Sequence, residues 1–206
     1  MEHLRITHGA HLPHWTRERA IYGVTFRLGD SLPASVLSKW IRERDSYIER
    51  VLASKKKLTE FEQIRVDTLH SLRIQKYLDA GHGDCLLRDA RAALVVRDAL
   101  AHFDGQRYRI AAWCVMPNHV HVVVQPTETS LPKILHTWKS YTSHSVNKVL
   151  GRTGSLWQVE YYDRLLRDEA ELRHALRYIA QNPEKAGLKN WPWVGLGFGA
   201  PRGKKV

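Results

Sequence analysis

The stretch Met116-Pro117-Asn118-His119-Val120-His121-Val122-Val123-Val124-Gln125-Pro126 constrains this chain more than any other. It is a β-branched, apolar run interrupted by two histidines one residue apart. In a strand, side chains at i and i+2 share a face. His119 and His121 therefore project together with Val123 and Gln125, while Val120, Val122 and Val124 face a core on the other side. Paired imidazoles on a rigid strand suit a metal ion, because the backbone fixes their spacing. The spacing alone is weak evidence in a chain with 12 histidines. Two ligands are also too few for a structural zinc site, so at least a third must come from elsewhere.

Charge narrows the partners. The chain has 206 residues, with 32 Lys and Arg against 21 Asp and Glu, for a net charge of +11. Such a balance favours a polyanion, nucleic acid before an anionic membrane. The length fits one domain, and an apolar content of 43% fits a packed core. No run approaches the roughly 18–20 apolar residues of a membrane span. No secretory h-region follows the start, and the expectation is a cytoplasmic protein. Cys85 and Cys114 form no zinc or redox motif and are expected as buried, reduced thiols.

Taken in order, residues 1–19 read as an irregular basic arm. Ile21–Phe26 is rich in β-formers and reads as a strand. Ser31 and Pro33 open a helix with apolar positions Val36, Leu37, Trp40, Ile41, Ile48, Val51 and Leu52. After Lys55-Lys56-Lys57, Leu58–Leu78 reads as a second helix, and the pair as a helical hairpin without a cluster of obvious chemistry. Gly81-His82-Gly83-Asp84 is a tight turn. Asp89 caps a helix reaching about Phe103. Tyr108, Ile110, Ala112 and Cys114 alternate with Arg107, Arg109 and Trp113, which predicts a half-buried strand paired as an antiparallel hairpin with the histidine strand. Ser130-Leu131-Pro132 opens a helix that Gly151 stops. A last strand falls within Gly154–Arg164. Asp168 caps a helix ended by Pro183 and Gly187, on which Tyr178 and Asn182 share a face and Gln181 lies nearby. Trp191-Pro192-Trp193 reads as a packing segment.

The order strand, helices, strand, strand, helix, strand, helix predicts an α+β fold. The expected core is a ferredoxin-like four-stranded antiparallel sheet backed by helices, with an inserted helical hairpin over about residues 32–80 and a basic tail at 199–206. Together, residues 1–206 read as one domain.

Several pieces in this order resemble the single-tyrosine HUH transposases, and among them the REP-associated tyrosine transposases. They are Met116-Pro117-Asn118-His119-Val120-His121, Leu156-Trp157-Gln158, Tyr161-Tyr162-Asp163-Arg164, Arg167-Asp168-Glu169, Tyr178-Ile179, Asn182-Pro183 and Ala186-Gly187. The resemblance implies that His119 and His121 bind a metal, Mg²⁺ or Mn²⁺, that Tyr178 is the nucleophile, and that Asn182 is a third ligand. Insertion-sequence relatives usually carry Gln at that last position, which makes Gln181 the alternative ligand. Tyr162 and Tyr161 are the alternative nucleophiles. The implied activity is metal-dependent cleavage and strand transfer of single-stranded or hairpin DNA through a 5′-phosphotyrosine, with no small-molecule substrate. Lys139, Lys148, Arg152, Arg164 and Arg167 are candidate phosphate contacts. A monomer is expected from the REP-associated type and a homodimer from the insertion-sequence type. The competing readings are a non-catalytic hairpin-binding regulator and an RNA-directed protein, the latter lacking an aromatic RNP-type strand.

Overall fold

The computed structural model describes residues 5–8, 13–16, 20–55, 59, 62 and 72–198. The tail at 199–206, the lysine run after Lys55 and most of residues 58–71 lie outside these. Within the N-terminal arm, β1 (Arg5–His8) and β2 (Pro13–Thr16) pair antiparallel, so the arm is not wholly irregular as its sequence predicted.

The main sheet has five strands: β3 (Ile21–Arg27), β4 (Tyr108–Val115), β5 (His119–Pro126), β6 (Tyr162–Leu166) and β7 (Val194–Gly195). Their order is β6-β3-β5-β4-β7, and every pairing is antiparallel. Removing the two-residue β7 leaves the interleaved order of a ferredoxin-like sheet, with β3 and β5 central. The fifth strand was not foreseen. It closes the β4 edge where Gly195 crosses Trp113, at a distance where a Cβ would lie 3.0 Å from the indole nitrogen.

Helices α3 (Ala90–Ala101) and α4 (Leu131–Leu150) cover one face of the sheet. There Val120, Val122 and Val124 of β5 meet Phe26, Val96, Ile134, Leu135 and Trp138 in the larger core. Phe26 lies between Trp157 and Trp138, at ring distances of 4.8 and 6.4 Å. These tryptophans are core residues. The start of α4 matches its sequence signals, with Pro132 in the first turn, and Gly151 ends it in the left-handed region at φ 64°.

The other face carries α5 (Glu169–Lys185), whose Ile179 packs on Val123, Ala112, Cys114 and Met116. Asp168 caps it by accepting from the Glu171 amide at 2.8 Å. The helix does not stop at Pro183. That residue is buried inside the last turn, where the ring forfeits one rung but the Asn182 and Pro183 carbonyls still accept from Ala186 and Leu188.

The predicted alternation of β4 fails halfway. A register shift between Ile110 and Ala112 marks a β-bulge at Ala111. Tyr108 and Ile110 face the larger core, but beyond the bulge Trp113 and Val115 take that face, and Ala112 and Cys114 turn to the α5 side. The bulge thereby sets Cys114 opposite His121.

Helix α1 (Ala34–Lys55) and helix α2 (residues 72–79) form the inserted hairpin. Arg73 pairs with Glu43 at 2.6 Å, and the Tyr77 and Trp40 rings meet edge to face at 5.6 Å, so the helices run antiparallel. Leu78 is buried at 2% exposure and anchors α2 on the domain.

Candidate metal and nucleophile site

The two histidines sit where period-2 geometry puts them, on the α5 side of β5 and fully enclosed. Their Nε2 atoms are 2.9 Å apart. Each ring is held from behind. His119 Nδ1 lies 2.7 Å from Asn118 Oδ1, and Asn118 is itself oriented by donating its Nδ2 to the His82 carbonyl at 2.8 Å. With the amide fixed in that sense, His119 Nδ1 carries the proton and Nε2 is a bare acceptor. His121 Nδ1 lies 2.8 Å from the Thr25 hydroxyl, its cross-strand partner on β3. On its other side, His121 Nε2 faces the Gln75 side-chain nitrogen at 3.0 Å. An amide nitrogen only donates, so this Nε2 is also an acceptor. Burial holds both imidazoles neutral, His119 well below its ordinary pKa and His121 at about 3.

Helix α5 delivers Tyr178 and Asn182 to the same place. The Tyr178 ring is edge to face with His121 at 5.5 Å. Asn182, one turn later and 1% exposed, donates Nδ2 to the Tyr178 hydroxyl at 2.9 Å. Its Oδ1 is buried without a hydrogen-bond partner. Burial pushes the Tyr178 phenol above its usual pKa, with the Asp79 charge adding to the shift. The phenol is therefore neutral at pH 7. Gln181 is exposed.

The inserted hairpin also reaches the site, contrary to the expectation that it carries no cluster of chemistry. Asp79, at the end of α2, places Oδ1 3.6 Å from His119 Nε2 and accepts from Gln75 at 2.9 Å. The ligand atoms of Asp79, His119 and His121 all lie within 4.8 Å of one another. Burial raises the Asp79 pKa, opposed by hydrogen bonds from Gln75 and Asn182. A single polar residue after Leu78 on an amphipathic helix gives no sequence signal for this role. Gln75 was missed for the same reason, and the supporting roles of Thr25 and Asn118 depend on strand pairing and on the His82 carbonyl, which the local sequence does not show.

A cavity of about 610 Å³ opens beside Tyr178 and His121, between the hairpin and the β3–β6 end of the sheet. Tyr161, Tyr162 and Arg164 line it. Tyr161 packs against the larger core and burial raises its pKa, while Tyr162 is 36% exposed. Arg164 is ion-paired with Glu171 at 2.8 Å, and the same carboxylate accepts from the Arg167 amide. Lys139, Lys148 and Arg152 belong to α4 and its end, on the opposite layer from the histidines. Lys139 donates to the Val159 carbonyl, and burial lowers its pKa to about 8. Lys148 is exposed. Arg152 is half-buried, with Nη1 enclosed and lacking a hydrogen-bond partner.

Comparison with known proteins now bears on this arrangement. Residues 95–182 match the family described as Transposase IS200 like. The matched segment begins within α3 and ends on Asn182, so it contains both histidines and Tyr178. A curated relative, the "Putative REP-associated tyrosine transposase" of Haemophilus influenzae, is 27% identical over 101 residues. That match covers 42% of this chain and 57% of the relative, a little over half its length. A solved REP-associated tyrosine transposase bound to a REP hairpin superposes with a TM-score of 0.46 at 16% identity, over 86% of this chain and 76% of that one. The matched segment holds β4, β5, α4, β6 and most of α3 and α5, whereas β3, β7 and the α1–α2 hairpin lie outside it. Among the described residues, no helix is long and apolar enough to cross a membrane.

Proposed function

We propose that the protein is a metal-dependent endonuclease and strand transferase acting on single-stranded DNA at hairpins, with Tyr178 as nucleophile. The observation that carries this reading is the placement of Tyr178 and Asn182, one turn apart on α5, against the paired imidazoles of β5. The net charge of +11 and the IS200-like segment support a DNA substrate.

The donor set fits a divalent cation. Two imidazole nitrogens face each other across 2.9 Å with their lone pairs, and on α5 the buried amide oxygen of Asn182 has no hydrogen-bond partner. His119, His121 and Asn182 would hold Mg²⁺ or Mn²⁺, which when bound polarises the scissile phosphate as a Lewis acid.

The chain's own residues perform the rest. Asn182 holds the Tyr178 hydroxyl by donating to its oxygen, which leaves the phenolic proton free to point elsewhere. During attack the phenolic oxygen bonds to phosphorus and loses its proton. The bond from phosphorus to the 3′ oxygen breaks, and that oxygen leaves to gain a proton as a free 3′-OH. The product is a 5′-phosphotyrosine. Attack by a second 3′-OH reverses the step and rejoins strands without an energy cofactor. Arg164 and Arg167 border the site face, and Lys139, Lys148 and Arg152 serve a duplex stem passing along α4. The acting unit is a monomer, which light scattering checks.

The test is denaturing electrophoresis with labelled single-stranded hairpins from DNA flanking the chain's own gene, in Mn²⁺ or Mg²⁺. A slow-migrating adduct should form, vanish in Tyr178→Phe and in EDTA, and persist in Tyr162→Phe. Tight native-gel binding with no adduct in any metal would favour the non-catalytic regulator.

A further inference from the structure

We infer that Asp79 is a ligand of the divalent cation held by His119 and His121, so that the inserted helix α2 completes the metal centre. The inference rests on reading the histidine pair as a metal site. It adds a residue from outside the IS200-like segment, which begins at residue 95.

The first argument concerns which atoms hold protons. Asn118 and Thr25 take the Nδ1 protons of His119 and His121, so two lone pairs face each other across 2.9 Å. The Asp79 carboxylate joins them at 3.6 Å from His119 Nε2. Three acceptors thus meet; Gln75 donates to Asp79 Oδ1 and His121 Nε2 and Asn182 donates to Asp79, and none of these donors reaches His119 Nε2. Acceptors crowded together out of water repel one another, and burial makes that cost larger. One cation satisfies all three.

The second argument is distance. Neighbouring ligands of an octahedral ion with bonds of about 2.1 Å lie about 3 Å apart, and opposite ones about 4.2 Å. The observed 2.9 and 3.6 Å separations, with all three ligand atoms inside 4.8 Å, need only small side-chain adjustments.

The third argument is that one short segment serves the site twice. Tyr77 is clamped on Trp40 and stacks on His82 at 3.9 Å, and the His82 carbonyl orients Asn118 behind His119. The segment that positions Asp79 therefore also fixes the protonation of the neighbouring ligand. An anionic oxygen added to two neutral imidazoles suits the hard cations Mg²⁺ and Mn²⁺.

Calorimetric titration of the metal-free full chain with Mn²⁺ tests this, with Asp79→Asn, Asp79→Glu and His121→Ala alongside and thermal melts as folding controls. Wild type should bind one Mn²⁺. Asp79→Asn should weaken binding by at least about tenfold, since cation affinity follows ligand charge. It should melt no lower than wild type without metal, because it loses a repelled charge. Asp79→Glu should recover part of the affinity. His121→Ala should bind no Mn²⁺. Wild-type affinity in Asp79→Asn, with binding lost in His121→Ala, overturns the role of Asp79 and leaves the histidine reading standing. Wild-type affinity in His121→Ala overturns both. Should the Asn variant fail to fold, an Mn²⁺ affinity in Asp79→Glu equal to wild type overturns the proposal, because a displaced ligand must change it.

Discussion

Replacing Asn118 with alanine tests the layer behind the paired imidazoles. Asn118 is 0% exposed, and its side chain makes two hydrogen bonds, to the His82 carbonyl at 2.8 Å and with His119 Nδ1 at 2.7 Å. Alanine leaves a carbonyl and a ring N–H unpaired. Each unsatisfied buried group costs about 1–3 kcal/mol, so the expected loss is about 2–6 kcal/mol. At about 2–4 °C per kcal/mol for a domain of this size, melting should fall by about 10 °C. Urea unfolding followed by circular dichroism measures the loss, with an unchanged m-value showing that the unfolded state is not what moved. The same variant frees His119 to place its proton on Nε2, and loss of such an outer partner weakens metal binding by about 10–100-fold. A loss below about 1 kcal/mol with unchanged Mn²⁺ affinity would refute the argument, since the tautomer of His119 would then not depend on Asn118.

Phe26→Ala removes a ring packed between Trp157 and Trp138 in the larger core, on the face away from the histidines. It should cost about 3–5 kcal/mol in urea unfolding without altering Mn²⁺ affinity in the folded protein. Cys114 gives a pH test. Burial pushes its thiol from 9.0 to about 12. Between those values the folded state keeps a proton that the unfolded state has lost, so stability falls as pH rises through this window. In Cys114→Ala, the fall in unfolding free energy between pH 9 and pH 11 should be shallower by up to about 1.4 kcal/mol per pH unit. Equal slopes would mean that the thiol ionises in the folded chain.

What could be read in advance follows from how local each signal is. The histidine face was legible because β5 runs without a bulge, so the two-residue period holds from His119 to Gln125. The same rule misled on β4, because Ala111 is small enough to be the extra residue of a bulge and nothing in its neighbours marks it. Tyr178 and Asn182 were legible as a pair because four residues make one helical turn. Pro183 was read as a stop, since helix propensity weighs the lost rung but not the burial that keeps the ring in place. Asp79 was illegible. A carboxylate beside Leu78 looks like any solvated helix position, and only the antiparallel docking of α2 on α1 turns it toward β5.

The border of the IS200-like segment separates two kinds of residue. His119, His121, Tyr178 and Asn182, the groups proposed to carry the chemistry, lie inside it. Thr25, Gln75, Asp79 and His82 lie before it and make the contacts around the two imidazoles, His82 through Asn118. The division is not one of dispensable parts. β3 stands between β5 and β6, so the strand that presents Thr25 to His121 also joins β6 to the rest of the sheet. A chain begun at residue 95 would keep Tyr178 and both imidazoles. It would lose the central strand that holds them in one sheet and the carboxylate that meets them. The matched segment therefore holds the candidate groups, and residues before it supply the strand paired with β5 and the carboxylate that lies against the imidazoles.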